Sequence, residues 1–376
     1  MQRTQKKQAT VPAEVALTMN KGDAMIKKIL SIQSSWEFLA DADKPIVLYG
    51  TGNGADAVLD EAERLSIRIS EVVASDGFVR KRAFRGFTVK SISEIKETYD
   101  DFIVILGFAS SVPEVMDYIK ELAQKHQVIM PVVPVFGNTI FNREYLENYT
   151  EELEEARELL CNEESKRIFD NMVAFQFTGK LPCLFESEST REEALTDILK
   201  LTDKEDMLDL GAYRGDTIEE LISIAGGYSS VLALEPDRKS FDKLCAYLAD
   251  KENTQALPYA VWSEHKELVF SGGGGRQSAL SDTGRYTVEA VAVDSITKDR
   301  KITYVKMDVE GVEKEALEGM QELMKVQKPK LSIACYHRTE DLCTLIPLIH
   351  SINPDYRIHL RHHPYIPFWD TNLYCV

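Results

Sequence analysis

No stretch of this 376-residue sequence offers the roughly 18 to 20 consecutive apolar residues that a membrane-spanning helix requires. The basic N-terminus, MQRTQKKQATVP, also lacks the apolar run of a secretory signal. The expectation is a cytoplasmic protein without a membrane partner. Cysteine is sparse and scattered: Cys161, Cys183, Cys245, Cys335, Cys343 and Cys375 form no CxxC pair and no zinc-type spacing, and read as free thiols. Basic charge is in short supply too. The 44 Lys and Arg face 61 Asp and Glu, giving a formal charge of −17. That balance argues against a nucleic-acid partner, because such affinity rests on neutralising phosphates. The small basic cluster Arg80, Lys81, Arg82 and Arg85 reads as solvated surface.

What is present is a globular composition, 44% hydrophobic and 28% charged, in a chain long enough for two cores. From Pro45, apolar runs (PIVLYG, IRISEVVAS, DFIVILGF, QVIMPVV) alternate with amphipathic segments, the pattern of a parallel sheet wrapped by helices. A second alternation opens at Met207 with MLDLG, SVLALEP, TQALPYAV, ITYVKMD and KLSIACY, and closes on YRIHLRHH and NLYCV. The fold class is therefore α/β with two Rossmann-like domains, the second predicted to carry five parallel strands and an antiparallel pair at its end. The boundaries are 1–43 for an N-terminal tail and helix, 44–141 for a small Rossmann-like domain, 142–190 for a helical linker and 191–376 for the second domain. The Glu-rich run in the linker reads as the wet face of its helices.

Ligands of open parallel sheets sit beyond the carboxyl ends of the strands, where strand order reverses. In LDLGAYRGDT, Asp209 ends a strand, Gly211 permits close backbone approach, and Gly215, Asp216 and Thr217 open the next helix. Glu235, in LALEPD, follows Gly211 by 24 residues, roughly the offset at which a carboxylate grips a ribose diol. Tyr259, Ala260, Val261 and Trp262 supply an apolar wall for a purine, or belong to the core. In YVKMDVEGVE, Asp308 ends a strand, Glu310 lies just beyond it, and Glu313 reads as a helix-start residue serving backbone or dipole.

The ordered set LDLGAYRGDT, LALEPD, YVKMDVEGVEKEALEGM, SIACYH and LYCV resembles the FkbM-type S-adenosylmethionine-dependent methyltransferases over about Leu181 to Val376. The resemblance implies a class I methyltransferase sheet for 191–376 and methyl transfer from S-adenosyl-L-methionine, usually to a hydroxyl of a saccharide or natural product. Position by position it makes Asp209, Gly211 and Gly215 the turn that holds the methionine part of the cofactor, and Glu235 the ribose ligand. Tyr213 and Arg214 stand where smaller or amide residues are usual, which leaves their roles open. An alcohol acceptor needs a base, and Asp308, Glu310 and His337, the last at the end of SIACYH, are the catalytic candidates. A divalent-metal site built from these three with His362 or His363 ranks below a metal-free site, because no local ligand spacing supports it.

Two further segments carry candidate roles. The glycine-rich stretch from Ser271 to Gly284 reads as a disordered hairpin tip or as a lid, with Arg276 and Gln277 available to polar substrate groups. In the first half, LYGTGNGADAV places Gly50, Gly52 and Gly54 after a strand, and VVASD supplies Asp76. These are nucleotide-binding candidates, weighed evenly against a structural or dimerising role for that domain. The leading expectation is an O-methyltransferase with a small-molecule substrate, a homo-oligomer being compatible with the sequence. The alternatives are an NAD(P)-dependent sugar-modifying oxidoreductase working from the N-terminal glycine turn and a non-catalytic nucleotide-binding module.

Overall fold

The buried apolar runs become the strands of two sheets, because helical crossovers cover both faces and leave no polar side to the strands. In the computed structural model, which describes residues 25–76, 83–271, 279–280 and 286–376, every residue of Ile46–Tyr49 and Ile103–Leu106 is buried. The N-terminal sheet has five strands in the order Lys90–Ser91, Glu71–Ala74, Ile46–Tyr49, Ile103–Leu106 and Gln127–Ile129, all parallel. Residues 1–24, Arg80, Lys81 and Arg82 of the basic cluster, and Arg276 and Gln277 of the lid reading lie outside the described residues. Arg85 is paired with Asp60 at 2.6 Å on the surface.

The C-terminal sheet has seven strands in the order Thr254–Leu257, Ser230–Leu234, Asp206–Leu210, Tyr304–Met307, Lys330–Ala334, Thr371–Cys375 and Ile358–His362. The first five are parallel and Thr371–Cys375 runs antiparallel to both of its neighbours, as the sequence predicts. Strand order reverses between Asp206–Leu210 and Tyr304–Met307, so a crevice opens beyond their carboxyl ends. The register there pairs Asp209 with Lys306 and Leu210 with Met307. The two strands flanking the glycine-rich stretch, Lys266–Ser271 and Tyr286–Val291, pair antiparallel in a small separate sheet.

The stretch read as a linker forms the helices Arg143–Asn148, Thr150–Glu158, Glu163–Thr178 and Leu181–Phe185. Glu151, Glu152, Glu155 and Glu158 face solvent, as the charge pattern implies. Glu163–Thr178 does the opposite and buries Ile168, Phe169, Met172, Val173, Phe175 and Phe177. Each of those phenylalanines contributes about 1.5 to 3 kcal/mol by leaving water. One apolar cluster consequently runs from Val47 and Val104 of the first sheet through this helix to Leu208 and Val305 of the second. The two large sheets thus share an apolar cluster. All six cysteines are free, and among the described residues no helix is long and apolar enough to cross a membrane.

Candidate active site

A cavity of about 770 Å³ occupies the crevice at the strand-order reversal of the C-terminal sheet. At one end lies the turn after Asp206–Leu210. Gly211 has φ +78°, and a Cβ there would stand 1.9 Å from the Asp308 carbonyl oxygen, so no side chain fits between the two strand ends. Gly215, φ +90°, starts the helix Asp216–Ala225 against the Tyr247 ring, 2.4 Å from where its Cβ would be. Asp209 is fully buried beneath the turn and does not line the cavity. Its carboxylate accepts from Thr217 Oγ1 at 2.5 Å and faces Lys306 Nζ at 3.5 Å. Lys306 also donates to the Gly211 carbonyl at 2.9 Å. Burial works against the ammonium, but the Asp209, Asp308 and Asp216 carboxylates outweigh it and raise its pKa.

Glu235 follows the adjacent strand and faces this turn. Its Oε2 accepts from the Tyr213 N–H and its Oε1 from the Asp237 N–H, both at 2.8 Å. Burial pushes its pKa up to about 7 despite those two donors. Tyr213 reaches this position with φ +47°, and the Arg214 guanidinium lies over its ring. Asp216, Thr217, Ala260 and Val261 line the same end of the cavity, as does Tyr259. Trp262 turns away into the packing, with Lys266 over its ring at 3.7 Å.

The other end is built from the turn after Tyr304–Met307 and the end of Lys330–Ala334. His337 is 2% exposed. Its Nδ1–H donates to Glu313 Oε1 at 2.8 Å, and its Nε2 lies 3.4 Å from Asp308 Oδ1 and 3.5 Å from Glu310 Oε2. Glu313 Oε1 also accepts from the Val309 N–H at 3.0 Å. Burial alone would lower the His337 pKa, yet Glu313, Asp308 and Glu310 together raise it to about 10. Glu310, held at φ +58°, has its carboxyl raised to about 8 by burial, with His337 opposing and Asp308 adding to the rise. One ligand atom each from Asp308, Glu313 and His337 lies within 4.8 Å of the others. Glu313 and Asp308 meet different nitrogens of the imidazole, Glu313 at Nδ1 and Asp308 at Nε2.

His362 and His363 are not brought to this cluster. His363 sits between the Ser189 carbonyl and the Tyr374 hydroxyl, and His362 contacts Thr371 Oγ1 at 3.0 Å. Burial lowers the pKa of both, to about 3 for His362. Gly50, Gly52, Gly54 and Asp76 do not line the cavity either. Asp76 is exposed and accepts from Ser93 Oγ at 2.7 Å. The N-terminal half reaches the cavity by another route, through Ser111, Val135 and Phe136. Phe136 N–H donates to the His337 carbonyl at 3.2 Å, and its ring covers Gly311.

Residues 209–365 match the family model described as the methyltransferase FkbM domain. The chain is similar to that domain over this stretch. Its fold, N-terminal sheet included, is shared with the crystal structure of methyltransferase FkbM from Methylobacillus flagellatus KT. The two align with TM-score 0.69 at 20% identity over 94% of each chain. Aeropyrum pernix fibrillarin, solved with natively bound S-adenosyl-L-methionine, aligns at TM-score 0.32 and 13% identity over 47% of this chain and 68% of its own. The Geobacter metallireducens GS-15 precorrin-6y C5,15-methyltransferase aligns at TM-score 0.33 and 10% identity over 51% of this chain and 94% of its own. Both alignments are too loose to carry an argument. No curated protein matches the chain by sequence.

Around this cavity, sequence reasoning missed Lys306, Tyr336, Tyr365, Trp369 and the contact of Glu313 with His337. A signal existed for Lys306: a lysine in the middle of a buried strand must have a partner. Tyr365 and Trp369, whose rings lie 5.9 Å apart, come from an irregular loop tied to the N-terminal half by paired backbone hydrogen bonds between Ser110 and Ile366. No local pattern marks them.

Proposed function

We propose that this chain is an S-adenosyl-L-methionine-dependent O-methyltransferase whose acceptor is a hydroxyl of a saccharide or related natural product. The observation that carries the reading is one cavity with the Glu235 carboxylate at one end and the Asp308 and Glu310 carboxylates at the other. The residues at the first end fit the cofactor. Each Glu235 oxygen already takes one backbone N–H and keeps lone-pair capacity for a ribose hydroxyl. The bare Gly211 backbone allows close approach, and Tyr259, Ala260 and Val261 offer an apolar wall to the base. When bound, the cofactor supplies an already activated methyl group, so alignment and proton removal fall to the protein.

Held by Glu235 and the Gly211 turn, the cofactor would supply the methyl group to the acceptor oxygen, and its sulfur would keep the electron pair of the broken bond. The hydroxyl proton passes to a carboxylate of the Asp308 and Glu310 pair. Glu310, raised to about 8, has a proton affinity near the working range that suits a general base. The acceptor end also presents the rings of Phe136, Tyr336, Tyr365 and Trp369. Aromatic faces combined with carboxylates favour a neutral polyhydroxylated ring. The lining cations support the same reading, because Arg191 is held by Glu220 and Asp370 and Lys306 by Asp209.

Calorimetry with S-adenosylhomocysteine tests the assignment, and the expected result is binding by the wild-type protein. Asp308→Asn and His337→Ala should keep that affinity and lose turnover, by about 10² or more, on an acceptor identified with labelled cofactor in cell extract. Absence of binding by the wild type would overturn the reading.

A further inference from the structure

The role of Glu313 goes beyond that of a helix-start residue. It is 1% exposed, opens the helix Glu313–Glu318, and spends Oε1 on the His337 ring and the Val309 N–H, while Oε2 has no hydrogen-bond partner among the described residues. An ionised carboxyl so deeply buried is costly unless a cation or several donors face it. Among the described residues, the basic group that meets it is the His337 imidazole, through Nδ1 at 2.8 Å. That ring in turn projects Nε2 between Asp308 and Glu310, two of the carboxylates that line the cavity.

We infer that Glu313 is the positioning residue of this site: through Nδ1–H it fixes the His337 ring as a standing imidazolium whose Nε2–H orients Asp308 and Glu310. The inference rests on the methyltransferase reading and assigns proton acceptance to those two carboxylates, leaving the imidazole as their anchor. The groups facing the ring bear this out. The turn after Tyr304–Met307 contributes Asp308 and Glu310, the next helix Glu313, and the helix Asp341–Ile352 contributes Asp341. On its own segment the ring meets the Tyr336 phenol, and the Arg338 guanidinium is turned away onto the Gly311 carbonyl. The Phe136 segment brings only an aromatic face. Carboxyl groups dominate on every side that carries charge, which favours the protonated ring.

Histidine-selective ¹⁵N labelling of the full chain tests this, with the His337 resonance assigned by its loss in His337→Asn. The wild-type ring should still be an imidazolium at about pH 8, where an exposed histidine is neutral. In Glu313→Gln its midpoint should fall by about one unit or more. A neutral wild-type ring at that pH, or a midpoint unchanged by Glu313→Gln, would overturn the inference. Should Glu313→Gln not fold, the wild-type Nδ1–H signal decides: a downfield, slowly exchanging proton supports the contact with Glu313, and its absence refutes it. S-adenosylhomocysteine binding on the same samples separates the two ideas. Lost binding with an intact imidazolium sinks the enzyme reading, and retained binding with a neutral ring sinks only the role of Glu313.

Discussion

Just past its central strand the N-terminal sheet has Gly50, and the C-terminal sheet has Gly211 at the corresponding place. In both, an added Cβ would strike the backbone at the end of the strand across the reversal point, Gly107 O at 3.0 Å and Asp308 O at 1.9 Å respectively. The likeness stops at the side chains. The first residue after the strand that follows in sequence is Ser75 in one sheet and Glu235 in the other. Across the reversal it is Gly107 in one and Asp308 in the other. Ser75 is engaged by the Tyr49 hydroxyl at 2.5 Å, and Gly107 has nothing to offer. The same backbone device is flanked by carboxylates at both neighbouring strand ends, Glu235 and Asp308, in one half, and by Ser75 and Gly107 in the other. A glycine turn after a strand reports architecture; the residues at the neighbouring strand ends report chemistry.

The glycines provide the sharpest way to break this comparison. Gly211→Ala forces a side chain onto the Asp308 carbonyl at positive φ and should cost roughly 3 kcal/mol or more, or prevent folding. Gly52→Ala, which meets nothing within 4 Å, should cost at most about 1 kcal/mol in the same urea titration. Equal losses would mean that the close approach to the Asp308 carbonyl is not what requires glycine at position 211. Next in size is the acidic pair. Glu235→Ala should weaken S-adenosylhomocysteine binding about tenfold to a hundredfold, and Asp76→Ala should leave it within about twofold. A loss at Asp76 of the size seen at Glu235 would bring the N-terminal crevice into the binding site.

The smallest expected effect is on stability against pH. Glu235 and Glu310 have folded pKa values raised from 4.5 to about 7 and about 8, so the cost of burying their charge is absent below 4.5 and grows as pH rises toward those values. His337, raised from 6.5 to about 10, contributes stability that is full below 6.5 and lost as pH rises through about 10. All three make the folded state bind more protons, so the unfolding free energy should fall as pH rises across this window. Glu37 of the N-terminal half has the opposite sign. Its pKa is lowered to about 2, chiefly by Arg143, so its contribution is full above 4.5 and lost as pH falls through about 2. Thermal melts across pH should therefore show a downward alkaline slope that Glu310→Gln reduces, and an acid limb that Glu37→Gln reduces.

Much of the fold was legible because its signals are short-ranged. IVLY and IVIL are strands on account of buried apolar runs, and Gly211 and Gly215 mark the turn that a helix must follow. Glu235, Asp308 and His337 could be found because strand ends are where an open parallel sheet places its chemistry. Asp76 shows the limit of counting. Its distance along the chain suits a ribose ligand, but the strand ends at Ala74, so Ser75 takes the place that Glu235 holds in the other sheet and Asp76 turns out to Ser93. The helix Glu163–Thr178 reads like its acidic neighbour in composition, yet it is core because the strand Ile358–His362 happens to lie against it.

The sequence by itself determined two α/β sheets, the reversal point where the cavity opens, and the residues Gly211, Glu235, Asp308 and His337 around it. Only the tertiary structure decided that Asp209 lies beneath the turn with Lys306, that Phe136 of the first half walls the cavity, and that Glu313 meets His337 across 24 residues. The physical reason is one of range. Hydrophobic period and turn chemistry act over a few residues, whereas a buried charge finds its partner through strand register and order, which the whole packed chain fixes together.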